Sequence, residues 1–560
     1  MIALLAILGT ALSAVGAILL AFVEPFETYA LLTPTGTIPI TVGLRVDELS
    51  STVAVMVTMV ALAIQIYSVG YMKHDVRYPT FATLVGLFTL AMLTVVLSAD
   101  LIMLYVGWEI MGVCSYFLIG HHWEKPSASA AAIKSFLMTR FGDVGFLFGI
   151  FVLGVAAGSF RITDVIAAVP TMSSGTVLTA ALLLLVGVVG KAAQFPLHSW
   201  LPDAMAGPAP VSALIHAATM VAAGAYVVAL LYPVFLAAPL ALDVLAVIAV
   251  ISMLGAALAA LVTDDLKRVL AYSTISQLSV MFAALAVGGR TQAIAHLLSH
   301  AAFKALLFLC AGAVIVAVGS NLTSDMGGLR RRMPLSFLTM TVGFAALAGI
   351  PPTVGFFSKD AVIAAAEHAP NWLVFIGLLL TVGLTAAYTT RAWLRTFFGA
   401  GPDVREVSKI MTIPLTLLAL VALLLGFVGL WFESLRPELL SAVLSLVLAA
   451  LGVLGVFLIW RGDPAQDPAD SLGRLRGVFG SAFGTDTLYE RTVARGVMRL
   501  ANEVVRVDDS VVGKSVRGTG LGARALGGVL RRTQNGNPQF YVTAVLAGVV
   551  VIAVGVVILQ

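Results

Sequence analysis

Apolar runs of about twenty residues recur along the whole chain, separated by short polar connections, and each is long enough to cross a bilayer as a helix. The runs lack the residue-by-residue alternation of barrel strands, and inside lipid only helices or closed barrels satisfy the backbone. The pattern predicts about fifteen spans, near 2–23, 49–70, 80–98, 101–120, 134–158, 177–197, 209–232, 240–262, 268–288, 291–318, 334–368, 371–399, 410–433, 437–460 and 540–559. No positive residue precedes the first run, so it is expected to be a span rather than a cleaved leader. One long polar stretch, 461–539, interrupts the series. Within it Val493, Val497, Leu500, Val504, Val507 and Val511 step by four and three, while Arg491, Arg495, Arg499, Glu503 and Arg506 fall on another face. That pattern predicts an amphipathic helix lying on the membrane surface or against partner helices. The following "GKSVRGTGLGARALGG" is rich in glycine, which predicts a break or a weak helix between Gly513 and Gly528. Its Gly-x-Gly spacing follows no strand, so it is not read as a nucleotide loop.

Composition agrees with the pattern. Of 560 residues, 60% are hydrophobic and 11% charged, against roughly 25% charged in a soluble domain. A net charge of +4 gives no footing for nucleic acid. Cys114 and Cys310 fall in apolar runs, far apart in sequence, and are expected to be small buried hydrophobes rather than metal ligands or a disulfide. Loop charge is uneven. Connections after even-numbered spans hold Lys73, Arg77, Lys125, Lys267, Arg268, Arg330, Arg331, Arg332, Arg405 and Lys409, while those after odd-numbered spans hold Arg45, Arg161, Arg290 and Arg436. The even side is therefore expected to be cytoplasmic, with Met1 inside and Gln560 outside.

Against this background a few ionisable residues stand inside the apolar runs. Glu109 lies mid-span in "LYVGWEIMGVCSY", where a lone carboxylate costs about 2.5–3.5 kcal/mol unless neutralised, paired or hydrated. Lys191, in "VGKAAQF", is the complementary type. A carboxylate–lysine pair of variable separation makes a proton-affinity switch, although a static pair that only holds helices together is the alternative. His296, His300 and Lys304 in "HLLSHAAFKALLF" stand at i, i+4, i+8 on one helix face. The zinc reading of a histidine pair needs a Glu between the two and a third ligand, so a proton relay fits better and no metal is expected. Lys359 follows the Pro351-Pro352 break in "LAGIPPTVGFFSKDAV", as Lys191 precedes the break at Pro196. Broken helices free backbone groups, which are tolerated only against protein or a wet cavity, and two such helices about five spans apart suggest two inverted repeats. Arg140 and Asp143 open the fifth span; Asp265, Lys267 and Arg268 are expected on a solvated face; His121 and His122 fall in a connection and are given no role.

The stretches "VGWEIMGVCSYFLIG", "GKAAQFPLHSWLPDAMAGPAPVSALIHAATM", "DDLKRVLAYSTISQLSVMFAAL", "HLLSHAAFKALLFLCAGAVI", "MGGLRRRMP" and "GFFSKD" resemble the antiporter-like subunits of respiratory complex I, and most of all the L-type, or subunit-5, branch. The resemblance covers about 45–400 strongly and the remainder loosely. It implies a series of protonatable groups across the membrane, carried over here as Glu109, Lys191, His216, His296, His300, Lys304 and Lys359, with Asp143 modulating the pair. It also implies a lateral helix on the cytoplasmic face, matched by "GTDTLYERTVARGVMRLANEVV", and a last span at 540–559. Two departures stand out: the family usually begins with one further helix, and where it reads Gly-Tyr-Met after "ISQ" this chain has Ser279, Val280 and Met281.

The expected architecture is thus an all-α polytopic membrane protein of about fifteen spans. Its parts are N-terminal helices (1–79), a first antiporter-like repeat (80–262), a second (263–433), an additional span (434–460), the lateral-helix region (461–539) and a C-terminal anchor (540–560). The resemblance implies a proton-translocating subunit of a plasma-membrane NADH:quinone oxidoreductase in a bacterial-type cell, in contact with lipid and a neighbouring antiporter-like subunit. No cofactor is expected on this chain; NADH, FMN, iron–sulfur clusters and quinone fall to partner subunits. The alternatives are the large subunit of a multi-subunit sodium/proton antiporter or the membrane part of an inorganic-carbon accumulating complex, because the central motifs are shared. A non-transporting scaffold would be expected to lack the buried charges.

Overall fold

The computed structural model describes residues 1–33 and 38–560, and 14 helices among them are long and apolar enough to cross a membrane. After α1 (Ile2–Leu20) comes an antiparallel hairpin, β1 (Phe26–Thr33) and β2 (Ile40–Val46), which the helical reading of the sequence did not anticipate. The hairpin is tied to the helices: Thr41 donates through its N–H (3.2 Å) and hydroxyl (2.8 Å) to Asp100, whose other oxygen caps Ile102 at the head of a later helix. The next helix, α2 (Glu48–Tyr71), opens with a reciprocal cap in which Asp47 accepts from the Ser50 N–H and Ser50 accepts from the Asp47 N–H, satisfying two otherwise orphaned donors.

The first group of spans continues with α3 (Tyr78–Leu97), α4 (Leu101–Ile119), α5 (Pro126–Ala157), the short α6 (Ile162–Ala168) and α7 (Ser174–Lys191). α5 starts eight residues before the predicted 134, because Pro126 sits at the first helical turn where its missing N–H costs nothing. Beyond α7 the chain is irregular, with a cis peptide before Pro196, and passes through α8 (Trp200–Asp203) to α9 (Ala209–Ala217), α10 (Met220–Leu230) and α11 (Tyr232–Leu236). The predicted span 209–232 is therefore itself broken, at Ala218–Thr219, where the Thr219 hydroxyl turns back to the Leu214 carbonyl.

The second group comprises α12 (Pro239–Val262), α13 (Leu266–Ala286), α14 (Arg290–Val318), α15 (Pro334–Ala348), α16 (Val354–Glu367), α17 (Trp372–Phe397) and α18 (Lys409–Val428). The predicted eleventh span is the pair α15–α16, separated by Gly349 in the left-handed region (φ +79°) and a cis peptide before Pro352. Gly355 lets the two halves meet, since a Cβ there would lie 1.7 Å from the Ala346 carbonyl oxygen. Then come α19 (Leu439–Gly462) and α20 (Arg474–Gly480). Helices α9, α10 and α13 form the interior, with nearly every side chain buried, and much of α14 is buried beside them. His216, Lys267, His296, His300 and Lys304 sit on α9, α13 and α14.

Residues Met1–Phe483 pack as one compact unit and Gly484–Gln560 as a second. In the second, α21 (Thr485–Tyr489), α22 (Arg495–Val507) and α23 (Gly513–Thr533) follow one another as a continuous helix, joined by two widened turns at 490–494 and 508–512. Of the break or weak helix expected between Gly513 and Gly528, the break is absent. Glycine lowers helix propensity by about 1 kcal/mol per residue but, unlike proline, blocks no hydrogen bond, so the ladder runs through. The final helix α24 (Pro538–Ile558) carries no charged residue, is apolar beyond Thr543 and is long enough to span a bilayer.

Candidate functional site

Two clusters of buried ionisable residues lie within the first unit. The first is built where α4, α5 and the end of α7 meet. Lys191, the last residue of α7, is fully buried, and its ammonium lies 3.2 Å from Oδ2 of Asp143 on α5. The Trp108 indole N–H on α4 donates to Oδ1 of the same carboxylate at 2.6 Å, and the Trp108 ring stands 5.2 Å from the lysine nitrogen. A cation facing an aromatic ring and a carboxylate is held by both. Space for it comes from Gly112, one turn beyond Trp108, where a Cβ would lie 3.1 Å from the Lys191 nitrogen. The helix stops at Lys191 and turns, and the Trp200 indole donates back to the exposed carbonyl of Gly190 at 3.0 Å.

Glu109 does not meet Lys191. It is the neighbour of Trp108 on α4, about 100° further round the helix, and pairs instead with Arg140 of α5 on a half-buried face. The carboxylate that reaches the lysine is Asp143, one turn on from Arg140. Position in sequence offered both acids, and only the rotation of α4 and α5 decides between them.

The second cluster gathers on α14 and its neighbours. His296, His300 and Lys304 share the buried face of α14, as their spacing predicts. His296 Nδ1 lies 3.0 Å from the Ser358 hydroxyl on α16, and His300 Nδ1 lies 3.3 Å from the carbonyl of Ala217, which the α9–α10 break leaves free. The Nε2 atoms of both histidines, and both ring nitrogens of His216 on α9, are buried without a hydrogen-bond partner among the described residues. Buried polar groups are normally satisfied by protein or water, so these atoms mark places where water fits the chemistry. The Lys304 ammonium donates to the Ser273 hydroxyl and, at 3.2 Å, to the Leu270 carbonyl of α13. Lys359 donates at 2.7 Å to the Leu347 carbonyl at the end of α15, a group that the break exposes. The electrostatic reach of Lys304 extends to His216 and His300, and His296 feels both Lys304 and Lys359. The structure therefore brings His216, His296, His300, Lys304 and Lys359 into one connected neighbourhood.

Three residues carry more than their sequence context suggested. Lys267 was expected on a solvated face, but it is buried, with its ammonium 2.6 Å from the carbonyls of both Met205 and Gly207. These carbonyls belong to the irregular segment after α8, so the lysine serves as their donor; its neighbour Arg268 stays half-exposed beside Asp203. Asp360, next to Lys359, is turned away from the histidines and accepts from the Ser441 hydroxyl (2.9 Å) and the Glu438 N–H (3.0 Å). Arg391, buried at the end of α17, makes a bidentate pair with Asp467 at 2.6 and 2.5 Å and donates to the Thr263 carbonyl. No motif around Arg391 or Asp467 announces this pair, because the partners are brought together only by the packing of α17 and the 463–473 turn.

Comparison with known proteins bears on these clusters directly. Residues 98–385, which hold both clusters, match the family described as NADH:quinone oxidoreductase/Mrp antiporter, TM, and residues 32–82 match the N-terminus of complex I chain 5. Subunit L of the NADH-quinone oxidoreductase of Mycobacterium tuberculosis is 37% identical over 94% of this chain and 88% of its own length. Subunit L of the F(420)H(2) dehydrogenase of Methanosarcina mazei is 38% identical over 90% of this chain and 86% of its own. Among solved structures, a chain of the Mrp complex of a Dietzia species superposes with a TM-score of 0.73 at 25% identity, covering 99% of this chain but spanning only 60% of that one. With both halves of the core matched and the relatives covered almost end to end, this chain belongs to the NADH:quinone oxidoreductase/Mrp antiporter family of polytopic membrane subunits, in its subunit L, or chain 5, branch.

Proposed function

We propose that the chain translocates protons as a membrane subunit of a respiratory NADH:quinone oxidoreductase, driven by quinone reduction in partner subunits. The observation that carries the reading is the pairing of Lys191 with Asp143 in one cluster while Lys304 and Lys359, equally buried, are held by hydroxyl and carbonyl oxygens in the other. A lysine beside a carboxylate keeps its proton; once the carboxylate withdraws, burial disfavours the ammonium and a water in contact with it can take the proton on. His216, His300 and His296 then offer imidazole carriers between the lysines, each with a ring nitrogen unpartnered among the described residues and available to a bridging water. Proton transfer needs contacts of about 2.6–3.2 Å or one such water. Lys359 and Asp360 stand at the far end, and Glu109 with Arg140 provides the pair that couples α4 to α5.

In this reading the electron chemistry belongs entirely to partner subunits bearing NADH, FMN, iron–sulfur and quinone sites, and the nearest partner is another antiporter-like subunit. The basic connections face the cytoplasm, placing Met1 inside and Gln560 outside. The 485–533 helix lies along the membrane against neighbouring subunits. A second reading, an antiporter subunit without redox drive, draws on the likeness to the Mrp complex chain over 99% of this sequence. Redox-coupled proton uptake in membrane vesicles tests the first: Lys359→Met and Glu109→Gln each abolish most pumping while the complex still assembles. Unaltered pumping in both variants overturns it. Mass spectrometry of subunits retained in mild detergent separates the readings, since iron–sulfur and quinone-site subunits accompany only the first.

A further inference from the structure

Away from the two clusters, three side chains of metal-ligating type converge. Asp75, in the connection between α2 and α3, and His121 and His122, in the connection between α4 and α5, converge with their ligand atoms all within 4.8 Å of one another. His121 Nε2 lies 2.9 Å and His122 Nε2 3.4 Å from the same oxygen, Asp75 Oδ2. Ligands of a tetrahedral zinc at ~2.0–2.1 Å are separated by ~3.3 Å, so the three ligand atoms, hydrogen-bonded at 2.9 Å between His121 and Asp75, already stand at separations that a shared ion can bridge. Two adjacent rings, perpendicular at 86°, aim at this one carboxylate oxygen from the same connection.

The surroundings fit a cation as well. The second oxygen of Asp75 accepts from the Arg77 N–H at 2.8 Å, which orients the carboxylate and leaves Oδ2 to face the histidines. The Arg77 guanidinium itself is drawn away to Glu124 at 2.6 Å. The His121 ring is seated edge-on against Phe81 and buried, while His122 is about one-third exposed, leaving an open side for a water ligand.

We infer that Asp75, His121 and His122 form a binding site for a divalent transition-metal ion of the zinc type, which clamps the α2–α3 connection to the α4–α5 connection. Two imidazoles, one carboxylate and one open position suit zinc among the common biological ions; calcium and magnesium prefer all-oxygen sets. The inference is independent of the pumping reading.

The test uses the assembled complex in mild detergent, stripped with EDTA and dialysed against Zn²⁺, with bound metal read by mass spectrometry. Wild type retains one zinc per chain more than complexes carrying His121→Ala or His122→Ala, whose affinity at this position falls by about two orders of magnitude. Equal zinc in wild type and both variants overturns the proposal. If the alanine variants do not assemble, Co²⁺ added to the stripped full-length wild-type chain decides. Intense d–d absorption bands that Zn²⁺ displaces support the site, and their absence refutes it.

Discussion

At the first helix break Lys191 faces a carboxylate 3.2 Å away, whereas at the second Lys359 faces a backbone carbonyl 2.7 Å away and has no carboxylate within ion-pair distance among the described residues. Both lysines are buried beside a broken helix, yet they are held by different means. A carbonyl dipole offsets only part of the cost of burying an ammonium, while a carboxylate brings a full opposite charge and its own desolvation cost. The first break is therefore a matched pair that can be opened. The second is a single group whose charge must be met by water or removed by passing its proton on. A relay needs both kinds: one place that holds a proton until an event releases it, and one that does not hold it.

The largest expected effect breaks this contrast at its stronger end. Asp143→Asn leaves Lys191 buried without its counter-charge and should destabilise the chain by about 3–5 kcal/mol. Lys359→Met removes a lone buried ammonium and leaves no orphaned charge, so its stability should stay within about 1 kcal/mol of wild type even though pumping is lost. Thermal unfolding in detergent measures both, and adding Lys191→Met to Asp143→Asn should restore most of the loss. Equal destabilisation by Asp143→Asn and Lys359→Met would show that the two lysines are held alike.

The Arg391–Asp467 pair sharpens the comparison, because it has the geometry of the first break without its switch. Arginine does not give up its proton at any physiological pH, so this pair is a brace. Asp467→Asn should cost about 3 kcal/mol of stability and leave pumping per assembled complex unchanged. Burial alone would raise the Asp467 carboxyl, but the Arg391 guanidinium and the Ala469 N–H hold it below the usual carboxylate range. A depressed folded-state value contributes stability above the unfolded carboxyl value of about 3.9 and loses it as pH falls below that point. The acid limb of the wild-type unfolding curve should therefore be shallower in Asp467→Asn. Loss of pumping in assembled Asp467→Asn would make this pair part of the relay.

Much of this was legible from residue order. Runs of apolar residues near twenty in length gave the spans, and the prolines at 196, 351 and 352 marked two of the breaks, because these features act locally. The α14 triad was legible for the same reason, through helical spacing alone. The break at Ala218–Thr219 was not, since neither residue is a breaker by type and the turn is closed by Thr219 reaching Leu214. The hairpin at 26–46 was missed because neither strand is an apolar run of bilayer length and the second leans on Asp100, more than fifty residues away in sequence. Which acid meets Lys191 was likewise hidden: Glu109 and Asp143 differ only in the facing of two helices. Lys267 looked solvated beside Arg268 because the carbonyls it serves lie sixty residues earlier.

The smallest effect probes what holds the first break besides the ion pair. Trp108 gives Asp143 an indole N–H bond at 2.6 Å, stacks on Phe146 at 4.6 Å and presents its ring to Lys191. Trp108→Phe keeps an aromatic face for the stack and the cation but deletes the N–H. A hydrogen bond to a charged acceptor contributes about 1.5–3 kcal/mol, and the lysine contact to Asp143 remains, so the loss should fall near the lower figure. The same unfolding measurement should thus rank Trp108→Phe well below Asp143→Asn, with pumping largely kept. If the two cost the same, the indole rather than the ammonium is what anchors Asp143. The first break would then be a hydrogen-bonded carboxylate that a lysine happens to approach, and its difference from the carbonyl-held Lys359 would be one of degree.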